Sequence, residues 1–135
     1  MPEPAGTPDL VVLDTAVLLY WTLDPERLSA TAQEHLDGAE EIIALSVSLW
    51  EIALKHRKGA LELPGTIGDY RARLAEVDRL RIHYLDDELA ISGVLLDWAH
   101  RDPADRWITA LAIRLEAPLI SSDREIRAYY SRAVW

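Results

Sequence analysis

The sequence predicts an α/β fold, a parallel sheet of four or five strands covered by helices on both faces. Continuous apolar runs such as Leu10-Val11-Val12-Leu13 and Ile42 to Leu45 show no polar alternation, as in strands buried on both sides. Between the runs lie helical patterns of roughly 10–15 residues, the spacing of βαβ units. Acidic residues (Asp14, Glu51, Asp105 and Asp123) follow closely on these runs. Turns leaving the carboxyl ends of parallel strands gather along one sheet edge, so acids spread through the chain converge there.

Leu10 to Leu13 is the first strand, ended by Asp14-Thr15, and Ala16 to Trp21 continue as helical turns. Pro25 breaks that pattern, and Ser29 to Leu36 form a second helix that closes near Gly38. Ile42 to Leu45 make the second strand. Ser46-Val47-Ser48 then opens a helix through Trp50, Ala53 and Leu54, which Gly59 stops. Leu61 to Gly68, with Pro64 and two glycines, is a loop. Tyr70 to Leu80 is helical with Leu74 and Val77 inward, Ile82 to Leu85 is a third strand, and Asp87 to Ala99 a further helix. Asp102-Pro103 starts a helix that runs to Glu116. Pro118 to Ser121 is the fourth strand, Asp123 to Tyr130 a helix, and Ala133-Val134-Trp135 a short edge strand.

At 135 residues, half of them apolar, the chain is one domain with a real core. Met1 to Pro8 read as a flexible leader, without the basic cluster or apolar segment of a signal peptide, and residues 9–135 as the single domain. No apolar stretch approaches the roughly 18–20 residues of a membrane span. The absence of cysteine excludes disulfides and thiolate metal sites and fits a reducing cytoplasm. Acids outnumber bases 23 to 14, for a net charge of −9. Proteins that grip nucleic acid usually present a basic surface, so a nucleic-acid substrate here requires bound metal and local basic patches.

Three of the acids have an ordinary structural explanation. Aspartate is a favoured helix cap worth about 1 kcal/mol, and Asp14 and Asp123 sit where a strand hands over to a helix. Asp102-Pro103-Ala104-Asp105 resembles a capping box, with Asp102 the better cap. Glu51 lies inside its helix, where capping does not account for it, although a Glu51–Lys55 pair at i, i+4 does. The competing reading is a cluster of like charges that a hard divalent cation stabilises.

The strings Val12-Leu13-Asp14-Thr15, Trp50-Glu51-Ile52-Ala53, Asp102 to Ile108 and Leu119-Ile120-Ser121-Ser122-Asp123 resemble, in order, the four motifs of PIN domains, among them the VapC toxins of bacterial toxin–antitoxin pairs. The resemblance spans Leu10 to the C-terminus. It implies a three-layer α/β/α sandwich and Mg²⁺- or Mn²⁺-dependent endoribonuclease activity. It also implies RNA as substrate, a cognate antitoxin as partner, and homodimerisation. By motif, Asp14, Glu51, Asp105 and Asp123 are the four acids, with Asp14, Asp105 and Asp123 the expected direct metal ligands. Thr15 and Ser121 match hydroxyl positions that accompany the first and fourth. Thr109 departs from the alanine common in the family, as does the leader before Leu10.

Lys55, His56, Arg57 and Lys58 form the dense basic cluster, suited either to phosphate steering or to the helix dipole. Arg106 and Arg124, each next to a proposed acid, are candidates for phosphate contact or for pairing with the acids. Trp50, Trp98 and Trp107 are expected in the core. Tyr20-Trp21 is a candidate groove for an antitoxin helix or dimer partner. The four histidines lack ligand spacing such as His-x-x-x-His, against a zinc site. A receiver-like Mg²⁺ module needs a lysine after a late strand, and none follows Lys58. Ala16 excludes an Asp-x-Asp phosphatase, and there is no Walker or Gly-x-Gly-x-x-Gly loop. The remaining rival is a PIN-like interaction module without catalysis, against which the intact acids argue.

Overall fold

Strands β1 (Leu10–Leu13), β2 (Glu41–Leu45), β3 (Leu80–His83), β4 (Leu119–Ile120) and β5 (Ala133–Val134) form one sheet in the order β3-β2-β1-β4-β5. Every pairing is parallel, with Val12 opposite both Ile43 and Leu119. These strands come from a computed structural model that describes residues 9–135, so the expected leader lies outside the described residues.

Among the described residues, seven α-helices cover the sheet: α1 (Thr15–Leu23), α2 (Ala30–Gly38), α3 (Ser46–Arg57), α4 (Ile67–Leu74), α5 (Asp87–Leu95), α6 (Pro103–Leu115) and α7 (Arg124–Tyr129). Alternate side chains of each strand feed opposite cores, as the two-residue period requires. Val11, Leu13, Ile42, Ala44 and Ile120 pack with Leu18, Leu36, Ile52, Tyr70 and Leu74 from α1 to α4. Val12, Ile43, Leu45 and Leu119 pack with Leu89, Ile108, Leu111 and Ile126 from α5, α6 and α7. Each such Leu or Ile contributes about 1.5–3 kcal/mol by burial. The cores fix the strands, and residues just beyond the strand ends are carried with them.

Three elements differ from the sequence expectation. The helix expected from Tyr70 to Leu80 begins at Ile67, because Thr66 and Asp69 form a capping box, with bonds of 3.0 and 2.9 Å, and ends at Leu74. The third strand starts at Leu80, two residues early. The helix expected to reach Ala99 stops at Leu95, because a side chain from α6 takes up its final carbonyls. At the end of α3, Gly59 adopts φ +76°, which lets the Gly59 and Ala60 amides close on the His56 and Lys55 carbonyls.

The tryptophan expectation needs correction. Trp50 is 54% exposed, because it lies about 200° around α3 from the inward Ser48. Trp98 lies in the loop after α5, half-buried and stacked on Tyr129. Trp107 is half-buried against Gly93 and donates its indole N–H to the Ala90 carbonyl.

Candidate metal centre

The strand order reverses direction between β1 and β4, and the crevice beyond their carboxyl ends is the natural ligand site of such a sheet. Asp14 leaves β1 and caps α1, its Oδ1 accepting the Val17 amide at 2.8 Å. It is only 5% exposed. Ser121 leaves β4 beside the Asp14 carboxylate, and its Oγ accepts the Asp123 amide at 3.1 Å. Asp123 caps α7 through Oδ1, which takes the Glu125 and Ile126 amides and leaves Oδ2 outside the cap. Thr15 joins its hydroxyl to that of buried Ser48 at 2.9 Å, tying this edge to α3 one turn before Glu51.

The opposite wall is the loop between α5 and α6. Asp102 is the cap of α6, accepting the Ala104 amide at 2.9 Å, which frees the Asp105 side chain for the cleft. Asp105 Oδ2 lies 2.8 Å from His100 Nε2, and the other ring nitrogen pairs with the Glu125 carboxylate. Ligand atoms of His100, Asp105 and Asp123 all lie within 4.8 Å of one another.

Electrostatics sets these groups apart from ordinary caps. Burial pushes the Asp14 carboxyl up to about 6; the Ser121 and Val17 bonds oppose this, and the charges of Asp105 and Asp123 add to it. Burial also pushes Asp105 up to about 6, against the His100 bond and with the charges of Asp102 and Asp123. For His100, burial works against the charged ring, but the Asp105 bond and the Asp105, Glu125 and Asp123 charges raise it overall. Negative charge is therefore costly at this edge, and a cation relieves that cost. The oxygen-rich donor set fits a hard divalent ion.

The other expected site residues divide. Asp14 and Glu51 are outside the close group; the Glu51 side chain is 14% exposed and stands 3.9 Å from Lys55. Glu51 lines a groove with Trp50, Lys55, Lys58, Arg101 and Asp102, so the second motif acid borders the cleft. Arg106 is not a phosphate ligand. Its guanidinium N–H groups donate to the carbonyls of Gly93, Val94, Leu96, Trp98 and His100, which occupies all five donors. Arg124 is exposed at the start of α7, and buried Thr109 leaves its hydroxyl unpartnered. Sequence spacing does not single out His100, because no second histidine stands at ligand spacing from it. The signal available was its place two residues before the Asp102-Pro103 cap.

A parallel sheet with acids gathered at its switch point describes a class of metal-binding α/β proteins, and the chain belongs to one such family: residues 11–131 match the PIN domain model. It is 30% identical over 120 residues to ribonuclease VapC22 of Mycobacterium tuberculosis, covering 88% of this chain and 91% of that protein. Among solved structures it resembles a toxin–antitoxin complex from Klebsiella pneumoniae, with a TM-score of 0.64 and 17% identity over 93% of this chain and 96% of the other. It also resembles VapC20 of M. tuberculosis, described as a sarcin–ricin loop cleaving toxin, with a TM-score of 0.63 and 14% identity over 87% and 93% of the two chains.

Proposed function

We propose that this PIN-domain protein is a divalent-metal-dependent endoribonuclease and the toxin of a toxin–antitoxin pair. The observation that carries the reading is that buried Asp14, at the β1/β4 switch point, feels the charges of Asp105 and Asp123, which crowd together nearby, while burial raises the carboxyls of Asp14 and Asp105. The ribonuclease and toxin names of its relatives support the same reading.

Asp14, Asp105 and Asp123 would hold Mg²⁺ or Mn²⁺. When bound, the ion supplies Lewis-acid charge for phosphodiester hydrolysis and lowers the pKa of water, which leaves 5′-phosphate and 3′-hydroxyl ends. Ser121, beside Asp14, accepts the Asp123 amide and so fixes the start of α7 at this edge. Lys55, Lys58 and Arg101, beside exposed Trp50, give the groove a basic wall for RNA phosphates within an acidic protein.

A cognate antitoxin is the expected partner, with Tyr20 and Trp21 on α1 as its candidate contacts. Tyr20 packs against Trp135 and lies under the Arg27 guanidinium, so this edge already offers aromatic surface. A homodimer is supported by the exposed apolar side chains Ile91, Val94 and Leu95 on α5, near exposed Tyr84. Among the described residues no helix is long and apolar enough to cross a membrane, and the proposed place of action is the cytoplasm.

The test is RNA cleavage by partner-free protein with Mg²⁺, Mn²⁺ or EDTA, beside Asp14→Asn. Asparagine keeps the helix cap and removes the charge. Cleavage falls on the order of 10³-fold, as loss of several kcal/mol of transition-state stabilisation requires. A fully active Asp14→Asn protein would sink the assignment.

A further inference from the structure

We infer that His100 is a nitrogen ligand of the metal, making this a mixed imidazole–carboxylate centre rather than an all-oxygen one. The inference rests on the metal-site reading above and extends it to a residue outside the four motif acids.

Among the described residues, His100, Asp105 and Asp123 form the group whose ligand atoms crowd to within 4.8 Å. The 2.8 Å between His100 Nε2 and Asp105 Oδ2 is close to the separation of adjacent ligands around an octahedral ion, about 3 Å for bonds near 2.1 Å. The second ring nitrogen faces Glu125, and a carboxylate on the far nitrogen is what orients metal-binding histidines.

The ring is held in place from several sides. It packs on Trp98 at 4.7 Å between centroids, and Trp98 in turn stacks on Tyr129 at 4.6 Å. The His100 carbonyl is bound by Arg106 at 2.9 Å. A surface ion pair would need none of this support. An imidazole fixed with Nε2 against Asp105, and with a ring nitrogen within 4.8 Å of both carboxylates, has the placement a ligand requires.

The chemical consequence concerns selectivity. Mg²⁺ favours oxygen donors, whereas imidazole favours transition ions, so His100 tilts the site toward Mn²⁺ and later divalent metals.

The experiment is electron spin-echo envelope modulation of the full chain loaded with Mn²⁺, with natural-abundance and ¹⁵N-histidine protein. Mn²⁺ and Mg²⁺ calorimetry on wild type and His100→Gln accompanies it. The expected result is a directly bound histidine nitrogen in the wild type, lost in His100→Gln, together with a fall of about tenfold in Mn²⁺ preference over Mg²⁺. The spectroscopic result needs only wild-type protein, so it stands even if the variant folds poorly. Tight Mn²⁺ binding with no nitrogen coupling would overturn the inference and leave the carboxylate site intact. No Mn²⁺ binding by wild-type protein would remove the metal site itself, and this ligand with it.

Discussion

At the β1/β4 edge the candidate carboxylates Asp14 and Asp123 are also helix caps, whereas across the cleft His100 and Asp105 cap nothing. The first wall is fixed by backbone necessity. Its acids sit one residue beyond buried strands or inside a strand-to-helix turn, and main-chain amides hold their carboxylates. The second wall is a loop, and its shape depends on one side chain, Arg106, reaching back from α6 to five carbonyls. A cap and a ligand are thus compatible roles, because a carboxylate has two oxygens and a cap such as that of Asp123 uses one.

Removing the support of the second wall is the most direct way to break this contrast. Arg106→Ala leaves several partly buried carbonyls without donors and destabilises the fold by about 3 kcal/mol, lowering Tm by about 10 °C. Arg106→Lys recovers little, because an ammonium offers three donors and no fork. Thermal unfolding checks both, and a wild-type Tm in Arg106→Ala would show that the loop holds itself.

The charge stored at the first wall appears as a pH dependence of the metal-free protein. Asp14 has an ordinary value of 3.8 and a folded value of about 6, so the folded state holds a proton that the unfolded state has released between those values. The stability from the neutral form is complete below pH 4 and is lost as pH rises through 6, amounting to about 3 kcal/mol. Asp105, raised for the same first reason, acts in the same direction. Unfolding in EDTA should therefore show higher stability at pH 5 than at pH 7.5, and Mn²⁺ should restore it at the higher pH. A flat EDTA profile would mean that burial does not hold these carboxyls above their ordinary range.

Two smaller changes probe the packing behind the loop. A Cβ on Gly93 would lie 2.3 Å from Trp107 Cδ1, so Gly93→Ala forces α5 away from α6 at a cost of about 1–3 kcal/mol, readable as a lowered denaturation midpoint. Thr109→Val, which removes an unpartnered buried hydroxyl at nearly constant shape, should stabilise by about 1 kcal/mol without changing cleavage.

Much of the fold is legible in the residues themselves, because its strands are uninterrupted apolar runs. The order β3-β2-β1-β4-β5 matters to the site only where β1 meets β4, and both runs are plain in the chain. What could not be read depends on contacts distant in sequence. The end of α5 is set by Arg106, which local periodicity does not register. Trp50 looks like core by residue type, but the angle it subtends on α3 turns it to solvent. Asp14, Asp105 and Asp123 could be placed from their motifs, while the ordering of Glu51 behind them, on the groove wall, required coordinates. His100 gains its meaning only when the loop folds it onto Asp105.

The pairing of Val12 with Leu119 also has a consequence for synthesis. A nascent chain grown through α6 already carries Asp14, Glu51 and Asp105, yet it lacks β4 and α7, and so lacks Ser121 and Asp123. Non-local strand pairing is the slow step in folds of this kind. The candidate site is thus assembled late, after most of the polypeptide has been made.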